Sequence, residues 1–246
     1  MLPDLRRCSR RWWQRRSALL PSTCALCGSS GQLLCPACHA QFFGSPPPRC
    51  RRCAIALPPA DAATVCGTCL KAAPAFDATL VAADYAAPLD QLVQGLKFGH
   101  QLALAPLFAS LLRDVLLKAS ADAPLPALLT AVPLGPQRLA QRGFNQALEI
   151  ARPLSSMLGI ALEPQLVWRQ RETRPQTLLL PQQRQQNIRG AFMLDSTALA
   201  RIAGRHIGVV DDVITTGGTL GELAATLKRY GAARVTNFVF ARTPPH

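Results

Sequence analysis

The stretch His206-Ile207-Gly208-Val209-Val210-Asp211-Asp212-Val213-Ile214-Thr215-Thr216-Gly217-Gly218-Thr219 constrains this chain more than any other. Residues 206–210 read as a short buried strand, and Asp211 and Asp212 follow where that strand would leave a sheet. A Thr/Gly-rich turn comes next, and residues 220–230 read as a helix. Strand, turn and helix in that order are the layout of a phosphate cradle, because the first N–H groups of a helix lack intrahelical partners and the helix dipole favours an anion there. Gly217 and Gly218 let the backbone come close to the anion, and the hydroxyls of Thr215, Thr216 and Thr219 add donors. The two carboxylates would repel a phosphate, so they need a partner of another kind, such as ribose hydroxyls or a metal ion. The competing reading is a buried strand ending in an ordinary Asp-rich turn.

A ligand carrying a phosphate, a vicinal diol and a metal satisfies the whole stretch. Two apolar residues, two acids, an apolar residue, any residue and then Thr-Thr-Gly-any-Thr resemble the binding loop of type I phosphoribosyltransferases. That resemblance implies 5-phosphoribosyl 1-pyrophosphate (PRPP) with Mg²⁺ as ligand. Asp211 and Asp212 would hold the ribose hydroxyls, and Thr215, Thr216, Gly217, Gly218 and Thr219 the 5-phosphate.

The second constraint is four Cys-x-x-Cys pairs within residues 24–69: Cys24/Cys27, Cys35/Cys38, Cys50/Cys53 and Cys66/Cys69. Two residues between cysteines let both sulfurs face one tetrahedral ion from a tight turn, so the eight thiols predict two structural zinc sites. Gly28 and Gly67 supply turn residues. A disulfide framework fits less well, since residues 1–20 lack a convincing signal-peptide cleavage site and no secretion is expected. A thioredoxin-like redox site would need one such motif in a βαβ context. Sequential pairing, first with second and third with fourth, is the simplest arrangement, and interleaved pairing is the alternative. Arg49, Arg51 and Arg52 flank the third pair and suit either phosphates or the negative charge of a Zn(Cys)₄ centre.

The chain has 246 residues, 49% of them hydrophobic, which excludes a disordered protein and leaves length for a large domain plus a small one. No run of 18 apolar residues occurs, so no membrane span is expected. Formal net charge is +13; eight thiolates and two Zn²⁺ ions add −8 and +4, leaving +9. That excess invites a polyanion partner. Residues 1–20 form a basic arm with Arg6, Arg7, Arg10, Arg11, Arg15 and Arg16 around Trp12 and Trp13. It reads as a contact for single-stranded nucleic acid or a membrane surface, or else as a helix packed on the next module. The division expected is arm 1–20, double zinc ribbon 21–73 and an α/β domain 74–246.

Within 74–246, a strand is expected at 78–85, amphipathic helices at 89–96 and 102–118, and a buried strand at 128–132. The latter runs into a loop, Pro133-Leu134-Gly135-Pro136-Gln137-Arg138, and on to Arg142-Gly143-Phe144-Asn145-Gln146 and a helix through Leu158. An arginine-bearing loop between strand and helix reads as a second anion site, with Arg138 and Arg142 as candidates, or else as loop arginines facing solvent. Residues 169–192 are rich in Arg and Gln and read as a lid over the ligand. Further strands are expected at 191–194, 206–210 and 235–240, giving a parallel sheet of about five strands flanked by helices.

The zinc knuckles, Leu96-Lys97-Phe98-Gly99, Val132-Pro133-Leu134, Arg142-Gly143-Phe144-Asn145-Gln146, Arg184 with Asn187, Ala191-Phe192 and the loop 211–219 occur in that order. Together they are similar to the ComF (ComFC/GntX-like) competence family. Ala131 departs from it, standing where the family often has proline. The resemblance implies a double zinc ribbon on a type I phosphoribosyltransferase-like fold. It also implies a cytoplasmic role linked to uptake of single-stranded DNA, with a DNA-uptake helicase as a candidate partner. In the phosphoribosyltransferase layout Arg138 and Arg142 would receive pyrophosphate, and Asp211, Asp212 and Arg142 would be the catalytic residues of a phosphoribosyl transfer. Residue 2 is Leu and the N-terminal third is a metal module, so glutamine-dependent amidotransfer is not expected. The alternative class is a non-catalytic binding protein that grips single strands or a helicase and uses the loop as a nucleotide sensor.

Overall fold

The structure is a computed structural model and describes residues 23–58, 64–119, 125–170, 190–195 and 198–244. The chain divides into two compact units, Met1–Gly44 and Ser45–His246. In the described part of the smaller unit, a knuckle around Cys24 and Cys27 precedes helix α1 (Pro36–Phe43), whose N-cap is Cys35.

In the larger unit a second knuckle leads to α2 (Gly67–Lys71). The elements that follow are β1 (Ala78–Asp84), α3 (Leu89–Phe98), α4 (Leu104–Ala119), β2 (Leu128–Ala131), α5 (Pro136–Arg142) and α6 (Gln146–Leu158). Then come β3 (Ala161–Leu162), β4 (Val167–Arg169), β5 (Phe192–Leu194), α7 (Leu199–Ile202), β6 (His206–Ile214), α8 (Gly218–Arg229) and β7 (Arg234–Arg242). Five strands form one parallel sheet in the order β1-β7-β6-β2-β3. β4 and β5 pair antiparallel as a separate two-stranded sheet. The α/β parallel sheet flanked by helices agrees with the sequence expectation, but the strand expected at 191–194 lies in the antiparallel pair, and β3, not expected from the sequence, pairs with β2 at the edge of the parallel sheet.

β7 lies inside the sheet, and eight of its nine residues are buried. A near-continuous apolar run such as Phe238-Val239-Phe240-Ala241 is what a parallel strand covered on both faces requires. Val209, Val235 and Val239 pack in one cluster with Leu220, Leu223 and Leu227 of α8. Phe108 of α4 is fully buried and stacks on Phe240, with ring centroids 3.5 Å apart. Phe108→Ala is expected to lower stability by about 3–5 kcal/mol in urea unfolding, and a loss under about 1 kcal/mol would contradict this packing.

Two boundaries differ from the sequence reading. The strand expected at 206–210 continues to Ile214, because β7 supplies partners beyond that point: Asp211 lies opposite Val239 and Ile214 opposite Arg242. Both carboxylates therefore sit within the strand and not beyond it. The loop expected at 133–138 contains the start of a helix, α5, with Pro136 at its first turn and Gly143 closing it at φ 78°. Proline suits a helix start, where its missing N–H costs nothing, and glycine suits the left-handed end. Arg138 and Arg142 thus stand on a helix.

Candidate functional site

Each Cys₄ group has its four sulfurs within 4.8 Å of one another: Cys24, Cys27, Cys35 and Cys38 in the first, and Cys50, Cys53, Cys66 and Cys69 in the second. Pairing is sequential. Zn–S bonds of about 2.3 Å at tetrahedral angles put neighbouring sulfurs about 3.8 Å apart. The Cys27–Cys35 and Cys53–Cys66 sulfur distances are 3.7 and 3.6 Å. A disulfide would bring them to about 2.05 Å, and all eight thiols are free.

Backbone N–H groups prepare the sulfurs for charge: Cys35 N–H donates to Cys24 Sγ at 3.4 Å, and Cys66 N–H to Cys50 Sγ at 3.3 Å. Burial pushes both thiols up, but these and further N–H donors outweigh it and bring Cys24 to about 6 and Cys50 to about 7. Burial and neighbouring cysteines push Cys38 up to about 12. A divalent cation removes that conflict by stabilising all four thiolates together, so the residues present fit zinc.

Of the three arginines at the second knuckle, Arg49 pairs with Asp84 at 2.8 Å and donates to the Ala54 carbonyl at 3.2 Å. Arg52 donates to the Cys69 carbonyl at 3.2 Å. The knuckle also covers the outer edge of β1, where Thr79 N–H donates to the Arg51 carbonyl at 3.1 Å.

The second cluster lies at the carboxyl end of β6, where open α/β sheets present ligand groups. Successive strand residues face opposite sides of a sheet, and Asp211 and Asp212 differ in burial. Asp212 is 3% exposed and ion-paired with Lys97 at the end of α3, Nζ to Oδ2 2.5 Å. Its other oxygen accepts from Gln146 Nε2 at 3.3 Å, and Gln146 Oε1 in turn accepts from Arg142. Arg142, Gln146, Asp212 and Lys97 form one polar relay. Burial pushes the Asp212 carboxyl up, but Lys97, then the Asp211 carboxyl and the Gln146 amide, outweigh it and hold it below the usual range. Asp211 is half-buried, and its Oδ1 accepts the Asp212 N–H at 2.9 Å. Burial, and then the charge of Asp212, push the Asp211 carboxyl well up.

After Ile214 the turn exposes Thr215 and Thr216. Gly217 takes φ 82° as the residue before α8, a conformation in which glycine is the unstrained choice. Gly218 N–H lies 3.5 Å from Thr216 Oγ1. Thr219 occupies the first turn of α8.

Arg142 ends α5, with its guanidinium 5.2 Å from the Phe98 ring centroid. Burial, with Arg138 nearby, lowers its pKa against the pull of Asp212. Asn145 caps α6, accepting from the Ala147 and Leu148 N–H groups, and its amide donates to the Val132 carbonyl at 3.0 Å. That bond ties the start of α6 to the end of β2, which places Gln146 beside Asp212.

The structure brings Asp211, Asp212 and Arg142 into one cluster next to the turn 215–219. Lys97, Gln146 and Arg242 were not assigned roles from the sequence. Lys97 lies in the Leu-Lys-Phe-Gly motif and is one of four lysines, a signal that the sequence itself offers. Of the stretch expected as a lid, 169–192, Arg169 and Phe192 lie in β4 and β5, and residues 171–189, like the arm 1–20, lie outside the described residues. A cavity of about 820 Å³ lies between the start of α6 and β4, lined among others by Phe144, Asn145, Arg152, Trp168 and Arg201. No helix among the described residues is long and apolar enough to cross a membrane.

Comparison with known proteins finds the double zinc ribbon domain over residues 16–70 and the phosphoribosyl transferase domain over residues 145–245. The chain is 37% identical over 196 residues to DNA utilization protein YhgH of Salmonella typhi, covering 79% of this chain and 84% of that one. It is 34% identical over 224 residues to YhgH of Escherichia coli K12, covering 90% and 89%. It is 34% identical over 213 residues to competence protein F of Haemophilus influenzae, covering 85% and 90%. At 34–37% identity over 79–90% of its length, the chain belongs to the ComF family, the family of DNA utilization protein YhgH and competence protein F.

Proposed function

We propose that this protein binds PRPP with Mg²⁺ at the carboxyl end of β6 and works, in the cytoplasm, in the handling of single-stranded DNA. The observation that carries the reading is the relay Lys97–Asp212–Gln146–Arg142 beside a turn that opens into the N-terminus of α8. Lys97 neutralises one of the two carboxylates, which lowers the repulsion a phosphorylated ligand would meet. Asp211 and Asp212 would hold the ribose hydroxyls, residues 215–219 the 5-phosphate, and Arg138 with Arg142 the pyrophosphate. Mg²⁺ would offset pyrophosphate charge. If phosphoribosyl transfer occurs, Asp211, Asp212 and Arg142 contribute by positioning and leaving-group stabilisation, with no side-chain nucleophile. The cavity beside Phe144 and Trp168 has the size of a small-molecule site and is the place for an acceptor.

Support for the DNA role comes from the names of the relatives, the net charge and the basic arm with Trp12 and Trp13. Calorimetric titration should show Mg²⁺-dependent PRPP binding. Binding of single-stranded DNA should weaken steeply with salt, because each neutralised phosphate releases counterions. Absence of heat and of any melting shift at millimolar PRPP would overturn the ligand assignment. Salt-independent or absent DNA binding would overturn the other half. Pyrophosphate release with candidate acceptors separates a transferase from a nucleotide sensor.

A further inference from the structure

We propose that the second Cys₄ site and the phosphate loop form one coupled unit, in which Arg242 is the positioning residue that transmits the state of the metal site to the loop. The proposal rests on the phosphate-loop reading above. Arg242 ends β7 and is 8% exposed. Its Nε donates to the carbonyl of Cys53, a predicted metal ligand, at 3.1 Å. Its Nη1 donates to the carbonyls of Ile214 at 3.2 Å, of Thr243 at 3.2 Å, and of Thr215. One buried guanidinium thus joins the backbone of the knuckle to the backbone of the turn.

The chemistry of the turn makes those carbonyls matter. In a trans peptide the C=O and the following N–H point in opposite directions. Holding the Ile214 and Thr215 carbonyls on Arg242 turns the N–H groups of Thr215 and Thr216 away from the guanidinium, the orientation an anion cradle needs. A parallel contact reinforces this. Ala54, next to Cys53, shares one apolar cluster with Phe76 and Ile214. A Cβ on Gly217 would stand 3.6 Å from both Phe76 Cζ and Ile214 Cδ1, so the glycine that opens α8 rests on the same cluster. A metal held by Cys50 and Cys53 fixes the Cys53 carbonyl and the position of Ala54. Without it, the Nε contact loses its fixed partner, and the grip on the turn loosens with it.

Coupling between two binding sites is reciprocal, so PRPP must tighten the zinc of the second site by the same factor by which that zinc tightens PRPP. The test uses the full chain with its zinc. Release to a chromogenic chelator is followed with and without PRPP·Mg²⁺. PRPP is expected to reduce release of one of the two ions by about tenfold and to leave the other unchanged. Arg242→Lys keeps the charge but loses the fork. It is expected to abolish that protection and to weaken PRPP binding by about tenfold while the protein still purifies with two zinc ions. Zinc release from the wild-type protein that ignores bound PRPP overturns the coupling, and this measurement needs no variant to fold. Protection that persists in Arg242→Lys overturns the role of the arginine. Failure of the wild-type protein to bind PRPP at all is a separate result and removes the ligand reading itself.

Discussion

Asp211→Asn should raise the melting temperature of the ligand-free protein and weaken PRPP·Mg²⁺ binding, whereas Asp212→Asn should lower both. The two acids are neighbours in sequence, but the balance of burial, Lys97 and their mutual interaction shifts their carboxyls in opposite directions. Burial and then the Asp212 charge raise the Asp211 carboxyl. Its ionised form therefore costs stability near neutral pH, and a neutral amide of the same size removes that cost. The favourable contribution from a raised carboxyl is fully present below its unfolded pKa and is lost as pH rises through the folded value. The wild type should consequently gain stability on mild acidification from this group, and Asp211→Asn should not show that gain.

Asp212 has the opposite sign. Its folded value is lowered, chiefly by Lys97 acting against burial, so its contribution is present above the unfolded pKa and lost as pH falls through the folded value. Breaking a buried ion pair costs about 3–5 kcal/mol. The lower end applies here, because the Lys97 side chain keeps 21% exposure and can turn to water. For ligand, hydrogen bonds to charged acceptors contribute about 1.5–3 kcal/mol each, so the double variant should lose at least on the order of 100-fold in PRPP affinity. Calorimetric titration with melting curves recorded across pH checks both parts. A double variant that binds PRPP as well as the wild type would sink the site assignment.

Removing zinc should have the largest effect on stability. Freshly purified protein is expected to carry two zinc ions per chain, and structural sites of this kind contribute about 10–16 kcal/mol of apparent binding energy to folding. The two sites should differ in reach. Cys27→Ser acts in Met1–Gly44, and amide exchange should accelerate in residues 23–44. Cys53→Ser acts where Arg49 pairs with Asp84 and where the Arg51 carbonyl holds Thr79 of β1, so exchange should also accelerate along that edge strand. Acidification should release both ions, since each thiolate must take up a proton as its bond to the metal breaks. Metal analysis that finds no zinc, with the thiols oxidised, would refute the assignment.

Much of this was legible in residue order because the signals are local. Cys-x-x-Cys spacing is a property of one turn, and the eight sulfurs meet in the sequential pairs that short connections favour. The strand–turn–helix of 206–230 is likewise a short-range pattern, and so is the helix from Gln146 capped by Asn145. The length of β6 was not local: Asp211 to Ile214 are strand because β7, later in the chain, offers ladder partners and burial up to Arg242. For the same reason spacing could not reveal Lys97 as the partner of Asp212, or Arg242 as the link from Cys53 to the turn. Those pairs are separated by more than a hundred residues and meet only when the parallel sheet aligns the carboxyl ends of its strands. Sequence by itself determined the Cys₄ motifs and the strand–turn–helix that carries the two acids, because such patterns are written in adjacent residues. Tertiary structure alone decided which charges face each other, because desolvation and ion pairing depend on what packs against a group and not on what precedes it.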